Sequence, residues 1–239
     1  MTSNAGLLVR DLEAGYDGSI VLKGLTFSVA VGSVLAFVGP NGHGKTTILR
    51  SISGLVGVAS GSIRLAGEDL SVLRPDQVVE RGVVHIPQGD MIFPSMTVSD
   101  NLLVGAHPKR AYRSRAESLG EVFDLLPRLQ ERRGQIASTL SGGERRMLAI
   151  GRGLMARGTF LLIDEPSLGL APIVIEQIYS ILRRLKADGR TIILVEETPS
   201  RVVDLADQVH LIDDGRIVWT GNGLDVATSS DFLASYLGG

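Results

Sequence analysis

The chain contains no cysteine, no apolar run long enough to cross a membrane and no excess of basic residues. The missing cysteine excludes disulfides and thiolate metal sites. Since no run of 18 apolar residues occurs, any membrane role has to come through a partner protein. The net charge of −2 argues against a nucleic-acid partner. Residues 1–18 lack the basic and apolar regions of a signal peptide, so we expect a cytoplasmic protein.

The order of apolar segments along the 239 residues predicts an α/β fold. Four short apolar runs are typical of buried strands, and helical segments separate them, which favours a mainly parallel sheet. These strands are predicted at Ser33–Gly39, Gly82–Pro87, Thr159–Pro166 and Arg190–Glu197. Two further segments, at 61–67 and 210–221, predict exposed strands and hairpins, with a turn at Asp213–Gly215.

Strand signals are absent between residues 89 and 157. In the segment 114–134, five apolar residues share one helical face: Ala116, Leu119, Val122, Phe123 and Leu126. A second helix is predicted to start at "SGGERR". We therefore expect a single domain over 1–239, with a helical subdomain at approximately 89–157 inserted in the α/β core.

The stretch "GPNGHGKTT" follows the first predicted buried strand and precedes a helix. Its Gly39, Gly44, Lys45 and Thr46 match the spacing G-x-x-x-x-G-K-[ST] of a phosphate-binding loop. Backbone amides of such a loop surround phosphates, its lysine reaches the β- and γ-phosphates, and its hydroxyl binds Mg²⁺. A simple glycine-rich turn is the alternative. The candidate nucleotide contacts are Gly39, Pro40, Asn41, Gly42, His43, Gly44, Lys45, Thr46 and Thr47. The side chain of His43 is expected to point outward, and no chemistry is assigned to it.

An acidic pair ends a second buried strand, in "FLLIDEP". Asp164 is placed to hold Mg²⁺, directly or through water, and Glu165 to accept a proton from an attacking water. The alternative is a strand that simply ends in a polar turn. A phosphate loop in the same chain disfavours that alternative. The two motifs predict an ATP or GTP site, and they leave kinases, GTPases and motor ATPases open.

The segment "LSGGERR" narrows this choice. Ser141 and Glu144 form a capping box at a helix start. That box does not explain Gly142 and Gly143, since a glycine in a helix costs about 1 kcal/mol relative to alanine. Bare amides at a helix N-terminus suit a docking anion. The segment resembles the signature motif of ATP-binding cassette (ABC) proteins.

Further motifs extend this resemblance over nearly the whole chain, in the family's order. Tyr16 matches the aromatic residue that stacks on adenine, and Gln88 matches the glutamine that reaches Mg²⁺ and the attacking water. "SLGLAP" at Ser167–Pro172 resembles the D-loop. The resemblance implies a RecA-like P-loop NTPase core with an antiparallel β edge, and the cofactors ATP and Mg²⁺. It also implies a head-to-tail pair of cassettes, in which Ser141, Gly142 and Gly143 contact the γ-phosphate bound by the partner.

Three segments are similar to the LivF-type ATPases of branched-chain amino-acid importers: "SGGERRMLAIGRGLM", "DEPSLGLAP" and "GDMIFPSMTVSDNL". Urea-importer ATPases are similar in the same places. The resemblance implies an ATPase that powers import through separate permease subunits at the cytoplasmic face of the membrane. It also implies that the membrane subunit contacts residues 89–100, although these residues are alternatively only a surface loop.

One position departs from the family. Glu197 in "LVEETPS" stands where a histidine usually contacts the γ-phosphate. A carboxylate about 4 Å from a phosphate charge is repelled by about 1 kcal/mol in water and about 4 kcal/mol near a protein surface. We therefore expect Glu197 to slow hydrolysis at this site, with a partner cassette supplying the stronger one. Two alternatives stay open, namely an ABC ATPase of DNA repair or translation and a regulatory cassette that does not hydrolyse ATP.

Overall fold

Two β-sheets organise residues 5–237, the part of the chain described by the computed structural model. One sheet has four antiparallel strands in the order β2-β1-β4-β5, and the other has six in the order β10-β9-β3-β8-β7-β6. The strands are β1 (Ala5–Tyr16), β2 (Ser19–Ala30), β3 (Val34–Val38), β4 (Val58–Leu65), β5 (Glu68–Asp69), β6 (Val83–Ile86), β7 (Phe160–Asp164), β8 (Thr191–Glu196), β9 (Gln208–Asp213) and β10 (Arg216–Gly221).

The six-stranded sheet is parallel except for β10. Its strands β3, β6, β7 and β8 are the four buried strands predicted from the sequence. The predicted hairpin is also present as β9 and β10. Its first strand was wrongly expected to be exposed, because β9 pairs in parallel with β3 and is buried along most of its length. The mainly parallel sheet with an antiparallel edge confirms the predicted fold class.

Strand β3 faces a different core on each side. Val34, Ala36 and Val38 pack towards one hydrophobic cluster, which includes residues of the helices between β6 and β7. Leu35 and Phe37 pack towards a second cluster, shared with the four-stranded sheet and the helix after β3. Because β3 is completely buried, the loop that follows it starts from a rigid base.

The helices fill the connections between the strands. They are α1 (Lys45–Ile52), α2 (Pro75–Glu80), α3 (Val98–Gly105), α4 (Lys109–Tyr112), α5 (Arg115–Leu125), α6 (Pro127–Glu131), α7 (Gly142–Leu154), α8 (Pro172–Ala187), α9 (Gly223–Thr228) and α10 (Ser230–Leu237). Among the described residues, no helix has both the length and the apolar character needed to cross a bilayer.

Helices α3–α7 occupy the segment in which the sequence showed no strand signal. The predicted helical face at 116–126 is partly wrong. Val122 and Phe123 are buried, but Ala116 is exposed. Leu126 caps the end of the helix with a non-helical backbone (φ −127°, ψ 66°), because the following Pro127 disfavours a helical residue before it. The boundaries of a separate helical subdomain stay a prediction.

Candidate functional site: a phosphate loop beside an acidic strand end

The loop between β3 and α1 has the backbone that phosphate binding requires. Gly44 caps α1 in the left-handed conformation with φ 100°, which a residue with a Cβ rarely adopts. At Gly39, a Cβ would stand 2.2 Å from the carbonyl oxygen of Ile212. The loop therefore runs too close to β9 for any larger residue there. It leads directly into the N-terminus of α1, where unpaired amides favour an anion.

Lys45 reaches back across this loop and is 3% exposed. Its Nζ donates hydrogen bonds to the carbonyl oxygens of Gly39 and Pro40, both at 2.8 Å. Burial lowers the pKa of Lys45, and the carboxylate of Glu165, 3.9 Å away, opposes that shift. The loop carbonyls thus hold the ammonium group at the place where phosphate oxygens could replace them.

The end of β7 brings its acidic pair to the loop. Thr46 Oγ1 donates a hydrogen bond of 3.1 Å to Asp164 Oδ1, so two of the three predicted Mg²⁺ ligands are neighbours. Both offer hard oxygen ligands of the kind Mg²⁺ prefers, as does the amide oxygen of Gln88, and the remaining ligands would be water and phosphate oxygens. Among the described residues, no group of three or more His, Cys, Asp or Glu side chains forms a metal site by itself. The hydroxyl of Thr46 and the carboxylate of Asp164 are a donor set that fits a metal bound together with a nucleotide.

Glu165 lies next to Gln88, the residue that follows β6 by two positions. Gln88 Nε2 donates a hydrogen bond of 3.0 Å to Glu165 Oε2. The backbone of Glu165 is left-handed, with φ 43°, a strained conformation often found at functional sites. Burial raises the pKa of Glu165 and also that of Asp164. A raised pKa improves a carboxylate as a proton acceptor from water.

A cavity of about 430 Å³ joins these elements. Most of the predicted nucleotide residues line it: Tyr16, Asn41, Gly42, Gly44, Lys45, Thr46, Thr47, Gln88 and Glu165. At its edge, Arg50 Nη1 donates to the hydroxyl of Tyr16, whose ring is partly exposed. His43 does not line the cavity. Its Nδ1 lies 2.7 Å from Asp213 Oδ1, which fixes the side chain against the β9–β10 turn.

The signature segment lies outside this cavity. None of Ser141, Gly142 and Gly143 is among the residues that line it. Ser141 caps α7, and Glu144 completes the expected capping box. Gly143 sits against Val174 of α8, so the helix tip adjoins the "SLGLAP" segment. Leu168 of that segment and Ile173, next to Val174, are exposed apolar side chains, which suits contact with another protein.

Glu197 is exposed after β8, whereas the preceding Glu196 is buried. Glu196 accepts hydrogen bonds from Ser167 (2.9 Å) and Tyr179 (2.7 Å), and Arg201 lies 3.6 Å away. This carboxylate ties the segment after Glu165 to α8 and β8. The sequence interpretation missed it, since two consecutive glutamates at a strand end give no sign of which one turns inward.

Arg146 is a second residue that the sequence interpretation missed. It is buried on α7, and its guanidinium hydrogen-bonds backbone carbonyls next to Gln88 and Glu165. The available signal was a cation beside the apolar residues of α7. That signal shows a charge on the helix, but neither its burial nor its partners. Fold and site together define a P-loop nucleoside triphosphatase.

Comparison with known proteins identifies the family. The ABC transporter family model matches residues 22–168. The chain is 39% identical to the high-affinity branched-chain amino acid transport ATP-binding protein BraG of Pseudomonas aeruginosa, over 98% of this chain and 100% of that protein. It is 34% identical to the probable branched-chain amino acid transport ATP-binding protein LivF of Archaeoglobus fulgidus, over 92% and 94% of the two chains.

The fold is also similar to a solved structure. A crystal structure of the ADP conformation of an ATP-binding cassette of an ABC transporter superposes with a TM-score of 0.84, at 25% identity and with full coverage of both chains. The chain therefore belongs to the ABC transporter ATPase family. It is an ATP-binding subunit of an ABC transporter, of the class that hydrolyses ATP and works with membrane permease components.

Proposed function

We propose that this chain powers the import of branched-chain amino acids through separate permease subunits, at the cytoplasmic face of the membrane. The observation that carries this proposal is its 39% identity to BraG along the full length of both chains. The cassette does not itself contact the transported solute, so the site geometry supports the ATPase and the relatives support the substrate.

At the catalytic site, we propose that Lys45 exchanges its carbonyl partners for β- and γ-phosphate oxygens. Tyr16 stacks on the adenine, and the nine residues from Gly39 to Thr47 surround the phosphates. Thr46 and Asp164, with Gln88, would hold Mg²⁺, which would neutralise charge on the phosphates. Glu165 takes a proton from the attacking water, helped by its raised pKa.

The nucleotide site is completed by a second cassette. The tip of α7 has a capped N-terminus with two glycines and does not contribute to the chain's own cavity. Ser141, Gly142 and Gly143 therefore have a phosphate to bind only if it belongs to another copy or a related chain. Nucleotide would then bridge the two cassettes, and its hydrolysis would release them.

The permease contact is proposed at an apolar groove of about 410 Å³. Met91 and Phe93, from the predicted contact segment 89–100, line it together with Leu55. All three are exposed apolar side chains. If this groove receives the membrane subunit, Met91→Arg reduces recovery of the chain with membranes. Val72→Arg is a matched control, because Val72 is 80% exposed and does not line the groove.

The substrate is tested by uptake in the host cell. A strain that lacks this chain is complemented with the wild type or with Glu165→Gln, and uptake of radiolabelled leucine and urea is measured. We expect leucine uptake to need the wild-type chain, with urea uptake unaffected. Loss of urea uptake alone would transfer the assignment to urea, and unchanged uptake of both would overturn the import proposal. Immunoblotting confirms equal expression of the two chains.

A further inference from the structure

Arg146 connects the signature helix to the catalytic pair of the same chain. It lies on α7, five residues after Ser141, and is only 3% exposed. Its Nη1 donates to the carbonyl oxygen of Pro87 at 2.7 Å and also to that of Gly89. Its Nη2 donates to the carbonyl oxygen of Asp164 at 2.8 Å. One buried guanidinium therefore holds two separate backbone segments.

Those carbonyls flank the residues that face the nucleotide. Pro87 and Gly89 are the neighbours of Gln88, and Asp164 directly precedes Glu165. The side chains of Gln88 and Glu165 are themselves hydrogen-bonded. Arg146 thus holds, through backbone carbonyls, the two segments whose side chains Gln88 and Glu165 bond to each other.

The neighbouring arginine strengthens the same connection. Arg145 donates to Asp90 Oδ2 at 2.6 Å and to the carbonyl oxygen of Leu140 at 2.8 Å. Helix α7 consequently holds residues 87–90 through two consecutive side chains. A helix is a rigid element, so a shift of its N-terminal end moves both arginines and the segment that carries Gln88.

The chemistry of the position requires arginine. Burial lowers the pKa of Arg146, and the carboxylates of Asp164, Asp90, Glu196 and Glu165 oppose that shift. Its planar guanidinium presents several N–H donors in fixed directions, so that it reaches both the segment after β6 and the end of β7. A lysine has a single ammonium group and cannot reproduce both directions.

The geometry points to Arg146 as a positioning residue that couples the two nucleotide sites of a cassette pair. Docking of the partner's phosphate on the tip of α7 would set the position of Gln88 and Glu165 towards the chain's own nucleotide. This inference rests on the proposed sharing of each nucleotide between two cassettes. It adds a connection within one chain. That connection links the partner's nucleotide, which the signature segment contacts, to the nucleotide bound by the chain's own phosphate loop.

The first test separates positioning from binding. Arg146→Met and Arg146→Lys are compared with the wild type for ATP turnover and for the dissociation constant of a fluorescent ATP analogue. We expect kcat to fall about 10²-fold in both variants, since small misplacements of catalytic groups have effects of this size. Nucleotide affinity should stay the same. Unchanged kcat in Arg146→Lys, or an affinity that falls as much as kcat, would overturn the inference.

Arg128→Met is the matched control, because Arg128 makes only a surface ion pair with Glu131. Its turnover should equal that of the wild type. If Arg146→Met does not fold, as judged by thermal unfolding, Arg146→Lys retains the charge and decides the result.

Mixed pairs locate the effect within one chain. Lys45→Ala chains, which lack their own nucleotide site but keep an intact signature, are mixed with either Ser141→Arg or Arg146→Met chains. Ser141→Arg should regain turnover, because its intact loop can use the partner's signature. Arg146→Met should not regain turnover, because its misplaced Gln88 and Glu165 belong to the same chain as the intact phosphate loop. Recovery with Arg146→Met would overturn the inference, whereas no recovery with Ser141→Arg would overturn the shared site itself.

Discussion

Gln88 Nε2 donates a hydrogen bond of 3.0 Å to Glu165 Oε2, although 77 positions separate the two residues. The bond joins the ends of β6 and β7, which are adjacent parallel strands. Parallel strands end at the same edge of a sheet, so the topology alone brings these two polar residues together. The pair lies in the cavity formed by the phosphate loop.

This arrangement predicts a specific defect in Glu165→Gln. A glutamine keeps the size of the side chain and an oxygen that accepts from Gln88, but it cannot take a proton from water. We expect ATP turnover to fall by about 10²- to 10⁴-fold while nucleotide affinity is retained. Phosphate release and fluorescent-nucleotide titration measure the two effects. Glu131→Gln, at an exposed ion pair, serves as the control, and comparable turnover in both variants would contradict the role of Glu165.

The two glycines of the signature predict opposite effects on stability. A Cβ at Gly142 would meet only Arg145 Nη2, at 3.8 Å, whereas a Cβ at Gly143 would approach Val174 Cγ1 to 2.8 Å. Alanine favours a helix over glycine by about 1 kcal/mol. We therefore expect Gly142→Ala to fold at least as stably as the wild type, and Gly143→Ala to be destabilised.

ATP turnover should nevertheless be lost in both Gly142→Ala and Gly143→Ala. In Gly142→Ala, the added methyl group stands between the helix amides and the phosphate of the partner cassette. Thermal unfolding and ATP turnover on the same preparations separate stability from function. A stable Gly142→Ala chain with full turnover would show that the tip of α7 holds no phosphate.

The buried parallel strands and the phosphate loop were predictable because their signals are local. Strands such as β3 are continuously apolar, and the loop has a fixed spacing of glycines and lysine. Strand β1 gave no such signal. Its buried residues are Leu7 and Val9 but then Leu12 and Ala14, so the alternation changes phase at an irregularity in its pairing near Asp11. A strand whose inward face switches in this way has no constant period for a sequence analysis to detect.

Residues that act through distant backbone were not predictable for a different reason. Arg146 and Glu196 are buried charges whose partners are far away in sequence, on other elements. The sequence shows the charge, but only the fold decides whether it lies in solvent or in the core. Glu165 was identified from the acidic end of an apolar strand in a chain with a phosphate loop, and Gln88 from the family resemblance, but their contact could not be deduced.

Replacing Glu197 is expected to increase ATP turnover. Its carboxylate is exposed, and together with other nearby carboxylates it opposes the lowering of the Lys45 pKa by burial. Repulsion of a phosphate charge is about 1 kcal/mol if the group stays in water, which corresponds to roughly a fivefold effect. We expect Glu197→His to raise turnover and Glu197→Gln to lower the KM for ATP.

Steady-state ATP hydrolysis by the assembled transporter is the measurement for the Glu197 variants. Glu176→Gln controls for the change in net charge, since Glu176 pairs with Arg183 on the surface of α8. Unchanged turnover in Glu197→His would show that the carboxylate turns away from the nucleotide, and lower turnover would show that it does not slow hydrolysis. Either result would remove the argument that this site is the slower member of a pair.

Buried His210 is expected to make the stability of the folded chain depend on pH. It lies on β9 beside the rings of Phe27 and Phe37, and burial lowers its pKa to about 4. Between pH 6.5 and 4, the unfolded chain therefore binds a proton that the folded chain refuses, so stability falls as the pH is lowered. The total loss is about 3 kcal/mol, and it stops below the folded pKa.

The variant His210→Leu isolates this effect, since the hydroxyl partner of His210 on exposed Thr220 can turn to water. Urea unfolding of both proteins at several pH values gives the difference in their unfolding free energies. His85, whose pKa is also lowered to about 4 by burial, titrates equally in both and cancels. The difference should shift in favour of the variant by about 3 kcal/mol from pH 7.5 to pH 4. Parallel curves would mean that the folded chain admits the proton, and hence that water reaches the His210 ring between β9 and the four-stranded sheet.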